Sequence, residues 1–259
     1  MRRLSNWMRL LLKRIYALAY LTIKGEVSLF FALALHPVSL FCFLNRVLHL
    51  FSYLVIPYNK RIKYYVPSDS VCEWYHITIE RLEEDKNYEP REGWIVVDVG
   101  ANVGLISIYW ANLVGPKGKI ISIEPDDQNY FFLVNNKAIN NCDNLKPLKI
   151  AVADRAGKVK LFKGRNHIHY TIVKGMISTK KVLRATSVSS TTIDDLVRKL
   201  RLKRVDLLNI DAEGAELLIL WGSRYSLSRR IIRRLKIECK PQNIVPVKEF
   251  LGQYSYNIR

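Results

Sequence analysis

Glycine and acidic residues follow several apolar runs of this chain at spacings that could build a ligand site. The sharpest case is the segment 98–104 (DVGANVG), in which the apolar run 94–99 ends. Gly100 permits a tight turn and lets a ligand approach the backbone, and Gly104 lets a helix pack closely on the strand. The pattern therefore predicts a ligand-binding loop between a strand and a helix.

The chemistry of this loop does not favour a dinucleotide. Asn102 stands where a pyrophosphate-binding loop has its second glycine, and the last glycine comes early. A ligand that carries a carboxylate and an amine fits better, because Asp98, Asn102 and the backbone groups of Gly100 and Ala101 could hold both. We expect this loop to bind such a ligand.

Two further acids follow the next apolar runs. Glu124 ends the run 120–123 and could accept hydrogen bonds from both hydroxyls of a ribose. Asp154 follows the run 145–152 and could accept a hydrogen bond from an adenine amino group. The structural alternatives are a surface acid beside a turn for Glu124 and a turn or helix cap for Asp154.

A fourth apolar run, 205–210, is followed directly by Asp211 and, two residues later, by Glu213. Strand carboxyl ends line the ligand crevice of an open α/β sheet, so either acid could be a general base, Asp211 first. Both could instead cap the next helix. His169 lies with His167 in a polar loop and could reach the crevice, although such a pair is more often at the surface. We predict no metal ion, although the two acids could supply oxygen ligands.

Strands and helices alternate around these residues. The patterns predict strands at 94–99, 119–123, 145–152, 205–210 and 232–238, a short extra strand at 159–162, and helices at 103–114, 129–140, 192–200 and 215–221. Such alternation indicates a doubly wound, mostly parallel α/β sheet.

Taken together, these segments resemble the FkbM-type methyltransferase family. The matching segments, over about residues 70–245, are VVDVGANVGLISIYWA, IISIEP, AVAD, TTIDDL, VDLLNIDAEGAELLILWG and IKIE. The resemblance implies a Rossmann-like class I fold, S-adenosyl-L-methionine as methyl donor, and O-methylation of a hydroxyl on a sugar, glycan or other small molecule. It also implies that the cofactor is held by Gly100, Asn102, Gly104 and Glu124, with Asp154 near the adenine.

Two positions depart from the family pattern. Asn209 stands where the family commonly has lysine, and Lys240 stands where it often has histidine, two residues after the acid matching Glu238. Both positions lie at predicted strand ends that face the crevice. The substrate or the mechanism could therefore differ from that of other members.

Residues 1–67 differ from the methyltransferase domain predicted for 68–259. They contain an apolar stretch, 27–44, that Pro37 interrupts and that basic residues flank on both sides. A helical extension packed on the domain fits this pattern, and so does peripheral attachment of residues 1–65 to an anionic membrane surface near lipid-linked acceptors. Charge on both flanks argues against a spanning helix. Four widely spaced cysteines indicate a cytoplasmic protein, which the second alternative would place on the inner face of the membrane.

The chain carries a formal net charge of +18, which favours an anionic partner such as nucleic acid, phospholipid or a phosphorylated substrate. An RNA methyltransferase is therefore an alternative. Nucleic acid is less favoured because no Asn-Pro-Pro-Tyr segment follows 205–210 and the basic runs 198–204 and 229–236 lack interleaved aromatic residues. A membrane-associated binding protein without catalysis is a further alternative, against which the intact acids and glycines argue.

Overall fold

The computed structural model describes residues 53–57, 62–67, 88–164, 170–176 and 182–258. The apolar stretch 27–44 and His169 lie outside these residues. The chain has two compact units, and the sheet described below belongs to the larger one, Val55–Val66 with Ile77–Arg259. That unit includes residues that the sequence analysis assigned to the extension. Within the described ranges, no helix has both the length and the apolar character needed to cross a membrane.

The secondary structure alternates as the sequence patterns predict. The described strands are β1 (Tyr53–Pro57), β2 (Lys63–Pro67), β3 (Ile95–Val99), β4 (Lys119–Ile123), β5 (Leu145–Leu148), β6 (Ala151–Val152), β7 (Gly157–Lys163), β8 (Tyr170–Thr171), β9 (Arg184–Thr191), β10 (Leu207–Ile210) and β11 (Leu235–Ile237). The described helices are α1 (Leu105–Val114), α2 (Asp127–Ile139), α3 (Ile193–Lys199), α4 (Glu216–Trp221), α5 (Arg224–Ser228) and α6 (Ile244–Gly252), with a 3-10 turn at Pro241–Asn243.

The central sheet is parallel, with the strand order β5-β4-β3-β10-β11. Its inner strands are rich in valine and isoleucine and are buried on both faces, as parallel sheets require. The chain runs outward from β3 in one direction and later returns to its other side at β10. This reversal creates a crevice at the carboxyl ends of β3 and β10. The predicted doubly wound, mostly parallel sheet is confirmed.

Helices cover both faces of this sheet. One face packs Val97, Ile121 and Ile210 against apolar residues of α3, α4 and α6 in a single core. On the other face, the hydroxyl of Ser107 in α1 hydrogen-bonds Asp98 of β3. Alternate residues of each strand therefore serve opposite faces.

A second sheet, with the order β6-β9-β7-β8, was only partly predicted. The predicted strand 145–152 is in fact two strands, because β5 lies in the central sheet and β6 pairs with β9. Pro147 suits the edge position of β5, since proline offers no N–H to a further strand. The predicted strand 159–162 extends over Gly157–Lys163 and pairs along its whole length with β9.

Several element boundaries differ from the predictions for identifiable reasons. Helix α1 begins at Leu105 because Gly104 is left-handed, with φ of 89°. Helix α2 begins at Asp127 because Asp126 Oδ1 caps it, accepting from two backbone N–H groups at 3.0 Å. Val205 pairs with Ile232 only through an isolated bridge, which shortens the last two predicted strands.

Candidate active site

The predicted binding loop and the acids that follow β4 and β10 lie together at the carboxyl edge of the central sheet. The N–H groups of Gly100 and Ala101 both donate to Ile123 O at 3.0 Å, which ties the loop to the end of β4. The N–H of Asp211 donates to Val99 O at 3.0 Å, which ties the end of β10 to the end of β3. Three chain segments that are distant in sequence therefore form one site.

The loop has left-handed residues at alternate positions. The φ angles of Gly100, Asn102 and Gly104 are 85°, 53° and 89°. A Cβ on Gly100 would lie 1.9 Å from the carbonyl oxygen of Asp211, and one on Gly104 would lie 2.5 Å from Leu133 Cδ1. The positive φ of Gly100 agrees with the predicted tight turn. The two glycines also admit the backbone after β10 and a side chain of α2, and the approach of a ligand to Gly100 stays a prediction.

Glu124 is linked to the loop through both of its carboxylate oxygens. Oε2 accepts from the N–H of Asn102 at 3.0 Å, and Oε1 accepts from the N–H of Asp126 at 2.9 Å. Burial raises the pKa of Glu124 to about 7; the charge of Asp126 adds to the rise, and hydrogen bonds from Asp126, Asn102 and Asn129 oppose it. The carboxyl group therefore changes protonation near neutral pH, at the position predicted to hold a ribose.

Asp98 lies beneath α1 in a row of polar side chains that crosses the sheet. The row consists of Ser122, Asp98, Asn209 and Lys236, which are register partners on adjacent strands. Asp98 accepts from the hydroxyl of Ser107 and from Asn209 Nδ2 at 2.8 Å. Burial raises its pKa, hydrogen bonds from both partners lower it, the charge of Asp211 raises it, and the charge of Lys236 lowers it.

This row contains Asn209, one of the two positions that depart from the family pattern. Asn209 bonds Asp98 as a neutral donor, and the positive charge comes from Lys236 on the neighbouring strand. Sequence reasoning missed Ser107, although a small polar residue in the apolar segment LISIYWANLV of α1 was a usable signal. The row holds Asp98, near the end of β3, through side-chain hydrogen bonds. The predicted contact of Asp98 with the cofactor stays a prediction.

The turn after β10 carries an ion pair. Glu213 has φ of 51° and its carboxylate contacts Lys240 Nζ at 2.5 Å. Burial lowers the pKa of Lys240, but the charges of Glu213, Glu238 and Asp211 together raise it above its ordinary value. Lys240 is therefore a cation at neutral pH and cannot act as a base. Asp211 and Glu213 both lie at this turn, and the choice of Asp211 as the first candidate for a base stays a prediction.

A buried carboxylate holds the same turn in place. Glu216 is fully buried; it accepts from the N–H of Gly214 at 2.8 Å and from the side-chain amide of Asn243. Asn243 also donates to Gly214 O at 3.0 Å, and Met176 packs over Gly214. Glu216 thus has a structural role in this turn. Asn243 could not be found from the sequence, because its partners are in another segment.

Two predicted residues are not brought to this edge by a contact of the described residues. Asp154 is exposed in the turn between β6 and β7, and no hydrogen bond or ion pair of the described chain joins it to Glu124 or the loop. The residue that directly follows β5 is Lys149, which pairs with Asp127 at 2.9 Å. The adenine contact of Asp154 stays a prediction. The predicted role of His169 concerns a residue outside the described ranges.

The residues present suit a cofactor with a carboxylate and a ribose. Helix α1 begins at the loop, and no side chain caps its N-terminus, so its first N–H groups can receive a carboxylate. Glu124 offers carboxylate oxygens on the next strand, where a ribose diol can donate. Among the described residues, no group of three histidine, cysteine, aspartate or glutamate side chains could hold a metal ion.

The chain is similar to several known methyltransferases. Methyltransferase sdnD of Sordaria araneosa is 27% identical over 167 residues, which cover 53% of this chain and 64% of that protein, less than two thirds of its length. The structure of methyltransferase FkbM from Methylobacillus flagellatus KT is 16% identical with a TM-score of 0.49, covering 70% of this chain and 44% of that one. A SAM-dependent methyltransferase from Aquifex aeolicus is 14% identical with a TM-score of 0.39, covering 70% and 80%.

The family is established by sequence. Residues 98–256, which span the binding loop, both strand-end acids and α6, match the methyltransferase FkbM domain. This match covers more than half of the chain. The protein therefore belongs to the FkbM family of S-adenosyl-L-methionine-dependent methyltransferases, whose class I Rossmann-like fold its central sheet has.

Proposed function

We propose that this methyltransferase acts on a hydroxyl group of a sugar, glycan or other small molecule, with Asp211 as the general base. The observation that carries the proposal is the position of Asp211, whose backbone contacts Gly100 of the binding loop at the carboxyl end of β10. A carboxylate at this point can accept a proton from a hydroxyl group next to the methyl donor. Glu213, whose carboxylate pairs with Lys240 at 2.5 Å, is the second candidate for this role.

The residues of the site would have separate roles in cofactor binding and proton transfer. The N–H groups at the start of α1 and the backbone of the loop would hold the amino-acid end of the cofactor, and Glu124 would hold its ribose. When bound, S-adenosyl-L-methionine supplies a methyl group on a positively charged sulfur. Asp211 would take the hydroxyl proton of the acceptor while the acceptor oxygen forms a bond to the methyl carbon, the carbon–sulfur bond breaks, and the sulfur leaves as a neutral thioether. Most of the rate enhancement in such a site comes from holding the reactants in line, worth up to ~7–11 kcal/mol in favourable cases.

The isosteric substitution Asp211→Asn tests the base. It should lower the turnover rate by roughly 10²–10⁴ and leave cofactor affinity within a few-fold, because the amide cannot accept a proton at neutral pH. Glu213→Gln is the matched control and should lose less rate, since it disrupts the ion pair with Lys240 and leaves Asp211 intact. A normal rate in Asp211→Asn, with a large loss in Glu213→Gln, would assign the base to Glu213.

The acceptor class is tested separately from the base. Methyl transfer from labelled S-adenosyl-L-methionine into fractionated cell extract should place the label in glycan, lipid-linked glycan or small-molecule fractions. Label that enters RNA would favour the alternative of an RNA methyltransferase, which the net charge of +18 keeps open. A labelled methyl group that mild hydrazinolysis does not release, and that is then identified as a methyl ether, would support a hydroxyl acceptor.

We further propose that residues 1–65 attach the enzyme to the cytoplasmic face of an anionic membrane. The support comes from the sequence: the apolar stretch 27–44 is long enough to enter a leaflet, and basic residues flank it on both sides. Each basic residue near such a surface adds ~1 kcal/mol of attraction. The attachment would hold the site near lipid-linked acceptors. The competing account is that the same residues pack on the domain as a helical cap.

A further inference from the structure

Three asparagines lie on one face of helix α2 and its C-terminal cap. Asn129 and Asn136 are in the helix, Asn140 is its C-cap residue, and all three recur with Leu133 at the spacing of a single helix face. Asparagine is a poor helix former, since its side chain competes for backbone hydrogen bonds. Two buried asparagines within the helix, Asn129 and Asn136, therefore indicate that their amides make specific contacts.

Two of these asparagines bind strand β2 in the same way. Asn136 Oδ1 accepts from the N–H of Tyr65 at 2.5 Å, and its Nδ2 donates to Tyr65 O at 2.9 Å. Asn140 Oδ1 accepts from the N–H of Lys63 at 2.9 Å, and its Nδ2 donates to Lys63 O at 2.7 Å. Each amide thus pairs with a backbone as a neighbouring strand would, and together they fix β2 on α2.

Of the two asparagines that bind β2, Asn136 also contacts the cofactor loop, which is the binding loop 98–104. Its Nδ2 also donates to Val103 O at 2.8 Å, and Val103 and Asn136 are both fully buried. Val103 lies between Asn102 and Gly104, whose φ angles are both positive. A loop with such a backbone persists only when its surroundings hold it, and a buried carbonyl without a donor is costly. The contact is therefore placed where the loop needs support.

We infer that Asn136 is a positioning residue for the cofactor loop and links it to strand β2. By holding Val103 O, it fixes the peptide group between Val103 and Gly104, which leads into α1 and whose N–H donates to Ala101 O at 2.8 Å. Asn140 serves β2 alone. The inference depends on cofactor binding, which the family establishes, and does not depend on the proposed hydroxyl acceptor or on Asp211.

The experiment compares Asn136→Ala with Asn140→Ala in the full chain, by calorimetric titration with S-adenosyl-L-methionine below the melting temperature of each variant. Both variants lose a paired contact with β2, so both should melt earlier. Asn136→Ala should bind the cofactor about tenfold more weakly, the scale for leaving one buried carbonyl without a donor, and Asn140→Ala should stay within about twofold of wild type. Equal affinities of the two variants for S-adenosyl-L-methionine would overturn the inference. A wild-type protein that does not bind S-adenosyl-L-methionine would count against the family assignment.

A second variant keeps the test valid if Asn136→Ala does not fold. Asn136→Asp has the same shape and keeps the acceptor for Tyr65 N–H, but its ionised form cannot donate to Val103 O. Burial raises the pKa of such a carboxyl, so its protonated form gains as the pH falls, but that form has one O–H where the amide has two N–H groups, and Tyr65 O and Val103 O compete for it. The ratio of variant to wild-type dissociation constants should therefore be about tenfold at pH 8 and smaller, but still above onefold, at pH 5.5. A ratio near onefold at both pH values would refute a role for the donated hydrogen bond.

Discussion

Replacing Glu124 with glutamine should weaken cofactor binding and, at pH 8, leave the folded protein equally or more stable. The carboxyl group is buried, and its two oxygens accept from the N–H groups of Asn102 and Asp126. Glutamine has nearly the same shape and keeps one accepting oxygen, but its amide nitrogen then faces the second N–H group. Losing that contact should destabilise the variant by ~1 kcal/mol at every pH.

The ionisation of Glu124 adds a contribution that depends on pH. Its pKa rises from 4.5 to about 7 in the folded protein, so the folded state binds the extra proton between these values. Wild type must therefore lose stability as pH rises from 4.5 through 7, because the charge is buried in the folded state and hydrated in the unfolded one. At 1.36 kcal/mol per pKa unit, the full loss is ~3 kcal/mol. The glutamine variant has no such loss.

Urea unfolding at pH 5 and pH 8, followed by tryptophan fluorescence, measures this difference. The fall in unfolding free energy between the two pH values should be smaller in Glu124→Gln by ~2–3 kcal/mol, so the variant should be less stable at pH 5 and equally or more stable at pH 8. Calorimetry at pH 8 should show cofactor binding weakened by ~1–3 kcal/mol, the loss expected for hydrogen bonds to a charged acceptor. An identical pH dependence in both proteins would show that the carboxyl does not titrate near neutral pH and would refute the reasoning.

Two further predictions concern the loop and the extension. Gly100→Ala should lose cofactor binding and cost well over ~2 kcal/mol of stability, because its Cβ would lie 1.9 Å from Asp211 O. The control is Gly93→Ala, where φ is 77° but nothing lies within 4 Å of the added Cβ; it should cost ~1–2 kcal/mol and keep binding. Thermal melts measure the stability and titration measures the binding. Normal binding in Gly100→Ala would contradict the close approach of β10. The full chain should float with anionic vesicles in low salt, much less in high salt, and not with neutral vesicles; failure to float in low salt would leave residues 1–65 as a packed cap.

The parts of the site that could be predicted from sequence are those that local patterns determine. An apolar run that ends in a glycine loop or an acid marks the carboxyl end of a buried strand, and this placed Gly100, Glu124 and Asp211 at one edge. Strand β9 shows the limit of such patterns. Its sequence, RATSVSST, has little apolar character, and it is a strand because β7 pairs with it along its length.

Contacts between distant segments explain the remaining differences. Asn136 and Tyr65 are 71 residues apart, and Asn243 and Glu216 are 27 apart, so no local pattern connects either pair. The segment 145–152 was predicted as one strand, and its residues Pro147 and Lys149 do not show which sheet the chain joins after Leu148. Pairing partners decided these features, and a single sequence does not reveal partners.

The polar row of Ser122, Asp98, Asn209 and Lys236 also bears on how the strands find their alignment. Valine and isoleucine strands are nearly interchangeable along their length, so a slip of two residues keeps every apolar side chain on its own face. A two-residue slip of β10 would instead set Leu207 or Asp211 opposite Asp98 and leave a buried carboxylate beside leucine or beside a second carboxylate. Such misaligned sheets are disfavoured by ~1–3 kcal/mol or more, because a buried charged group would lose its donor. The row therefore favours the native register of β3 and β10 as the sheet forms.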